Sequence, residues 1–270
     1  MNKVILIVID GLNYQVAKEC MGFLAALEQA GQGKLYKMAC ELPSLSRPLY
    51  ECILTGRTPL ESGIVDNTTI RLSTEKSIFH LAQKAGLKTA AAAYHWISEL
   101  YNTCPYDAIK HRFTDNETMP IQQGIFYHQD HYPDHHTLLD GEHLRQKHDP
   151  DFLLIHTMNV DDIGHKFALD SQQYRNSARR MDGYLSHFLP MWLEQGYQIM
   201  ITADHGMNND HSHGGTLPEE IEVPFMVLGQ EFCPQSDLQP VKQTDICGLA
   251  CQLLGIEGHD KHFAQNILKG

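Results

Sequence analysis

Lys3-Val4-Ile5-Leu6-Ile7-Val8-Ile9-Asp10-Gly11 decides the fold. From Val4 to Ile9 every residue is apolar, most are β-branched, and nothing polar alternates with them. Such a run suits a strand buried on both faces of a parallel sheet. It is too short for a membrane span, which needs about 20 apolar residues. It also lacks the longer apolar region and small-residue cleavage site of a secretory signal. The run stops at an aspartate followed by glycine. In open parallel sheets ligands bind outside the carboxyl ends of the strands, so the residue that ends a strand matters more than those within it.

Outward from this strand the chain alternates strands and helices. Val16, Cys20, Phe23, Leu24 and Leu27 recur at helical spacing, with Gly31 as a stop. Ile78, Leu81, Ala82 and Ala85 predict a second helix ending at Gly86, then a short strand over Thr89 to Ala93. Phe152 to Thr157, Tyr197 to Ala203 and Val223 to Leu228 are further strand candidates. Tyr174, Ala178, Met181, Leu185, Phe188 and Trp192 predict a long amphipathic helix that Pro190 kinks, and Cys247 to Leu254 a last one. Strands spaced by helices imply an α/β fold, a mostly parallel central sheet with helices on both faces. No repeat or linker divides residues 1–270, which read as a single catalytic domain. The stretch 94–150, poor in aliphatic runs and rich in histidine, reads as a small cap-like insertion.

Composition excludes several classes. With 42% hydrophobic and 20% charged residues, the chain has enough apolar surface to offset chain entropy. Its formal charge of −12 argues against coating nucleic acid or binding an anionic membrane, both of which rely on Lys/Arg attraction. Seven scattered cysteines, with no Cys-x-x-Cys pair, fit buried free thiols better than a disulfide framework or thiolate zinc site. They suggest a reducing cytoplasm. The 17 histidines stand out, because imidazole is the commonest metal ligand.

Three strand candidates run into acidic residues: Asp10, Asp161 and Asp204, the last followed by His205-Gly206. One such aspartate is a turn former or helix cap as often as a ligand. Three, two of them accompanied by histidine, point to a metal site. In Asp161-Asp162-Ile163-Gly164-His165, either aspartate can share a helical face with His165. After Asp204-His205-Gly206 comes His211-Ser212-His213-Gly214-Gly215, where glycine lets the backbone approach an ion closely. Pro43-Ser44-Leu45-Ser46-Arg47-Pro48 precedes a short helix ending at Thr55-Gly56-Arg57. Ser44 or Ser46 reads as a helix cap. Ser46 also reads as a metal-activated nucleophile at a helix N-terminus that binds a phosphoryl group.

In order, Asp10, Pro-Ser-Leu-Ser-Arg-Pro, Thr55-Gly56-Arg57-Thr58-Pro59, Gly63-Ile64-Val65-Asp66-Asn67, Asp161…Gly164-His165, Asp204-His205-Gly206 and His213-Gly214-Gly215 resemble the alkaline phosphatase superfamily. Within it they resemble the nucleotide pyrophosphatase/phosphodiesterase branch, and also phosphonoacetate hydrolase. The resemblance runs from Asp10 to about Gly255. It implies an alkaline-phosphatase-like fold and two divalent ions, most often zinc, with manganese open to the same ligand types. Asp161, His165 and His213 would hold one ion, and Asp10, Asp204 and His205 the other. Ser46 would sit between them as nucleophile and metal-bound oxygen donor. Asn67 would hold a non-bridging phosphoryl oxygen. The branch usually has Thr at the nucleophile and Asn-His after the proline, where this chain has Ser46 and Leu49-Tyr50. It is also longer than this chain, so outer substrate-binding elaborations are expected to be reduced.

The reaction so implied is hydrolysis of a phosphodiester or phosphoanhydride on a small phosphate-containing substrate, through a phosphoseryl intermediate. Phosphonoacetate-type C–P hydrolysis and phosphomonoester hydrolysis would use the same site. The run His128, His131, His135, His136, His143 and His148, with Asp130 and Asp134, reads as an additional metal site or as a solvated helix face. It is the best support for a metal-binding pseudoenzyme.

Overall fold

The computed structural model describes residues 2–233, 241–263 and 265–269. Its first half runs β1 (Lys3–Ile9), α1 (Tyr14–Cys20), α2 (Gly22–Gln29), β2 (Gly33–Ala39), α3 (Ser46–Thr55), α4 (Pro59–Ser62), α5 (Ile78–Lys84), β3 (Thr89–Tyr94), α6 (His95–Tyr101), α7 (Ala108–His111), β4 (Phe113–Asp115) and β5 (Gln123–Tyr127). There follow α8 (Asp134–His148), β6 (Phe152–Thr157), α9 (Asn159–Phe167), α10 (Gln172–Glu194), β7 (Tyr197–Thr202), α11 (Pro218–Ile221), β8 (Glu222–Leu228), α12 (Asp245–Leu253) and a 3-10 turn over Gln265–Ile267.

The eight strands form one sheet in the order β2-β8-β7-β1-β6-β3-β5-β4. The apolar opening run takes the middle of it. β1 pairs in parallel with β6 on one side and β7 on the other, and β3 and β5 extend the parallel set. Only β8 and β4 run against the rest, so β2 and β4 close the edges with antiparallel pairs. Residues of β1, β3, β5, β6 and β7 are almost all buried, because helices cover both faces. α1, α2, α8 and α10 pack together as one layer, and α3, α5, α6 and α12 as the other.

Several expectations change in detail. The helix over Val16–Leu27 is two helices broken at Met21. The Asp182 carboxylate of α10 accepts from the Phe23 and Leu24 amides at 2.8 and 3.1 Å and so starts α2 anew. The stretch 94–150 supplies β4 and β5 to the sheet edge, α8 against β3 and β6, α6 against β3 and β5, and α7 against β5. Pro190 lies inside α10, which runs on to Glu194.

Candidate metal centre

The site forms where β1, β6 and β7 end. Asp10 follows β1 and is fully buried. Gly11 adopts φ +69°, and a Cβ there would lie 2.8 Å from the Asp161 Cα, so only glycine lets β1 come this close to α9. Its amide donates to Asp204 Oδ1 at 3.1 Å, tying the ends of β1 and β7 together. Asp161 enters from the first turn of α9, and Asp204 and His205 follow β7 directly.

Two groups of ligating atoms each lie within 4.8 Å of one another: Asp10, Asp204 and His205, and Asp161, His205 and His213. His205 belongs to both. Its Nε2 is 3.2 Å from Asp204 Oδ2, 3.5 Å from Asp10 Oδ1 and 3.1 Å from the Ser46 Oγ. Its Nδ1–H donates to the Gly206 carbonyl at 2.8 Å, which leaves the Nε2 lone pair facing the cluster. His213 Nδ1–H likewise donates to the Ser44 carbonyl at 2.7 Å, and its ring stacks on His205 at 3.5 Å. Burial lowers both imidazoles, His213 to about 3 with the His205 ring adding to the effect, so both are neutral, the form a metal would need.

The carboxylates show what the cluster needs. Burial, then the mutual charge of Asp10 and Asp204, pushes Asp161 well up, and burial with Asp10 does the same to Asp204. Burial would raise Asp10 too, but the His156 hydrogen bond, the electrostatic pull of the adjacent His205 and His156 rings and the Tyr50 hydroxyl outweigh it and hold Asp10 low. Asp10 Oδ1, Asp161 Oδ1 and Asp204 Oδ2 are buried without a hydrogen-bond partner. Among the described residues no lysine or arginine pairs with any of the three. Buried acceptors without donors are costly unless a cation joins them, and this oxygen and imidazole set suits zinc or manganese.

His165 stands apart from the other expected ligands. Its Nε2 is 3.4 Å from Asp161 Oδ2, but the side chain is 44% exposed, and its Nδ1 hydrogen-bonds the His211 carbonyl at 2.8 Å. Asp162 turns away to Lys166 at 2.5 Å. The His128–His148 run contributes to neither ligand group.

Ser46 is the first residue of α3, behind an N-cap, Leu45, that makes no side-chain capping bond. Asn67 is doubly tied to the next residue: its Oδ1 accepts the Arg47 amide at 3.0 Å and its carbonyl accepts Arg47 Nε at 3.1 Å. With its Oδ1 committed to the α3 backbone, Asn67 keeps its Nδ2 as the donor end. Arg47 is itself locked, paired with Glu99 at 2.8 Å and stacked 4.5 Å above the Trp96 ring.

Two residues here were not singled out as functional from the sequence. Tyr50 donates to Asp10 Oδ2, and His156 Nε2 lies 3.2 Å from the same oxygen. His156 had a readable signal, a lone imidazole in the apolar run Phe152–Thr157. Tyr50 had none, since its role depends on how α3 packs over β1.

A family model for type I phosphodiesterase / nucleotide pyrophosphatase matches residues 4–215. The human GPI ethanolamine phosphate transferase 2 catalytic subunit is 21% identical over 272 residues, covering 94% of this chain and 26% of that protein. GPI ethanolamine phosphate transferase 3 of Saccharomyces cerevisiae is 22% identical over 222 residues, covering 81% and 20%. The chain thus spans about a quarter or less of these relatives' length. Murine ectonucleotide pyrophosphatase / phosphodiesterase 5 shares the fold, with a TM-score of 0.78 at 14% identity over 99% of this chain and 100% of that one.

Proposed function

The chain belongs to the type I phosphodiesterase / nucleotide pyrophosphatase family, in the alkaline phosphatase superfamily, and from that premise we propose that it cleaves phosphodiester or phosphoanhydride bonds through a covalent ester on Ser46. The observation that carries this reading is the 3.1 Å contact between Ser46 Oγ and Nε2 of His205, the one residue common to both candidate groups.

Asp10, Asp204 and His205 would hold one divalent cation, and Asp161 and His213 a second, with His165 alongside Asp161. When bound, such ions offset the carboxylate charge and supply Lewis-acid polarisation of phosphoryl oxygens. The chain's own groups do the rest. Ser46 Oγ gives up its proton and bonds to phosphorus as the leaving oxygen departs in line with the P–O electron pair and takes up a proton in its place, so the step is proton-neutral. The Ser46 amide and the Asn67 amide nitrogen donate to the equatorial oxygens, where charge develops. Water then bonds to phosphorus, and Ser46 Oγ leaves and regains its proton, so one water is consumed per turnover. Burial makes His205 and His213 weak bases, so neither retains the serine proton at neutral pH.

Ser46→Ala is expected to lower kcat by about a thousandfold or more while metal content stays at the wild-type level. Full metal-dependent activity in that variant would defeat the reading. Bis(p-nitrophenyl) phosphate, p-nitrophenyl phosphate and phosphonoacetate, assayed together, separate diester, monoester and C–P cleavage. The first is expected to be the best substrate.

A second reading is supported by the curated relatives, which are named as ethanolamine phosphate transferases. In it the covalent ester is resolved by an acceptor alcohol in place of water. Product partition at rising alcohol concentration distinguishes the two: a transferase diverts most of its product to the new ester.

A further inference from the structure

Ser44 lies two residues before Ser46 and is fully buried. As a helix cap it would bond the first turn of α3, but it does not. Its Oγ donates to the Gly215 carbonyl at 2.9 Å and accepts the Gly214 amide at 3.0 Å, while its own carbonyl accepts His213 Nδ1–H at 2.7 Å. We propose that Ser44 is a positioning residue that locks the loop 208–215 onto the nucleophile turn and thereby sets His213 relative to Ser46.

The loop is anchored at its start by a separate device. Asn208 Nδ2 donates to the buried Glu220 at 2.6 Å, and its Oδ1 accepts the Asp210 and Ser212 amides at 2.8 and 3.0 Å. That half fixes residues 208–212. Beyond Ser212, two successive glycines hold the loop only through their backbone, and Ser44 is the partner of both. Gly214 has φ +109°, and a Cβ there would lie 3.0 Å from the Leu45 side chain, so the two turns meet closely. The bond to the Ser44 carbonyl also selects the His213 tautomer, directing its Nε2 lone pair inward. Groups of this kind, one bond removed from a metal ligand, orient the ligand and commonly change metal affinity 10- to 100-fold.

The activity arm of the test rests on the reaction proposed above, whereas the binding and spectroscopic arms do not. In metal-free wild-type protein, 15N NMR is expected to show His213 as a single Nδ1–H tautomer. An Nε2–H tautomer there would overturn the proposal without any variant. Ser44→Ala is expected to weaken zinc binding at one of two sites by about tenfold or more. It should also mix the His213 tautomers and lower kcat more than it raises KM, and Ser44→Thr, which keeps the hydroxyl, should restore all three. Thr55→Val is the matched control, removing a buried hydroxyl bond at the far end of α3. If Ser44→Ala behaves like Thr55→Val, losing thermal stability but keeping wild-type zinc affinity and tautomer, the role is structural and the proposal fails. If the wild type shows no phosphoesterase activity, yet Ser44→Ala loosens zinc and shifts the tautomer, only the reaction falls.

Discussion

Asp10 is held by a tyrosine hydroxyl and an imidazole on one oxygen, which leaves the other free for a cation. Burial and the Asp10 charge push the Tyr50 phenol well above its usual range, so it remains a donor at any working pH. Tyr50→Phe removes that donor with little change in volume. It is expected to weaken metal binding by about tenfold, read by competition with a chromogenic chelator, while the far-UV spectrum is unchanged. At this scale the sequence was partly legible. The ordered aspartate and histidine motifs can be read because metal chemistry restricts residue type, and five of the six expected ligands fall into the two tight groups. Tyr50 and His156 could not be read the same way. Tyr50 acts only because α3 lies over β1, and His156 only because the register pairs it with Val8.

At the scale of elements, buried aliphatic strands were legible and polar elements were not. β2 alternates buried and exposed residues only from Tyr36 to Ala39, with Lys37 exposed and Lys34 half-buried, as suits an edge strand, and carries no long apolar run. α8 has no apolar stripe at all, because the face it buries includes Asp134, Glu142 and Arg145. There the Trp192 indole donates to Glu142 at 2.7 Å and Arg145 pairs with the same carboxylate, so polar bonds dock α8 on α10. At its first turn Asp134 exchanges hydrogen bonds with Asn159, accepting that residue's amide at 2.9 Å. Burial nonetheless lifts the Asp134 carboxyl to about 7. The folded state therefore prefers the protonated form. Its stabilising effect is full below the unfolded value near 4 and is lost as pH rises through about 7. Asp134→Asn is expected to gain stability over wild type as pH goes from 5 to 8, by up to about 3 kcal/mol, in thermal melts of metal-free protein. A second prediction belongs to the junction of β1 and α9. Gly11→Ala must push Asp161 away and strain a left-handed residue, costing about 1–3 kcal/mol in denaturant titration and metal affinity with it.

For the whole molecule, net charge and local charge point in different directions. The chain is acidic, with a formal charge of −12, yet in the proposed mechanism a phosphate would meet cations held by three buried carboxylates and not the acidic surface. Stability and occupancy are then linked, since whatever binds only the folded state stabilises it. Zinc at a hundredfold excess over its dissociation constant adds about 2.7 kcal/mol per site. Chelation is expected to lower the melting temperature by several degrees, restored by added zinc and read by scanning calorimetry. An unchanged melting temperature with and without chelator would mean that the buried carboxylates do not hold a cation in solution.

The placement of β1 has a consequence for how the protein is made. During synthesis this strand leaves the ribosome well before both of its neighbours, β6 and β7, and β7 must precede Asp204 and His205. A bare Val/Ile-rich segment is therefore without its native partners while the intervening chain is translated, the kind of exposed strand that is prone to aggregation. The nascent chain can assemble neither candidate ligand group before His205 has emerged, so any metal the site takes has to wait for β7.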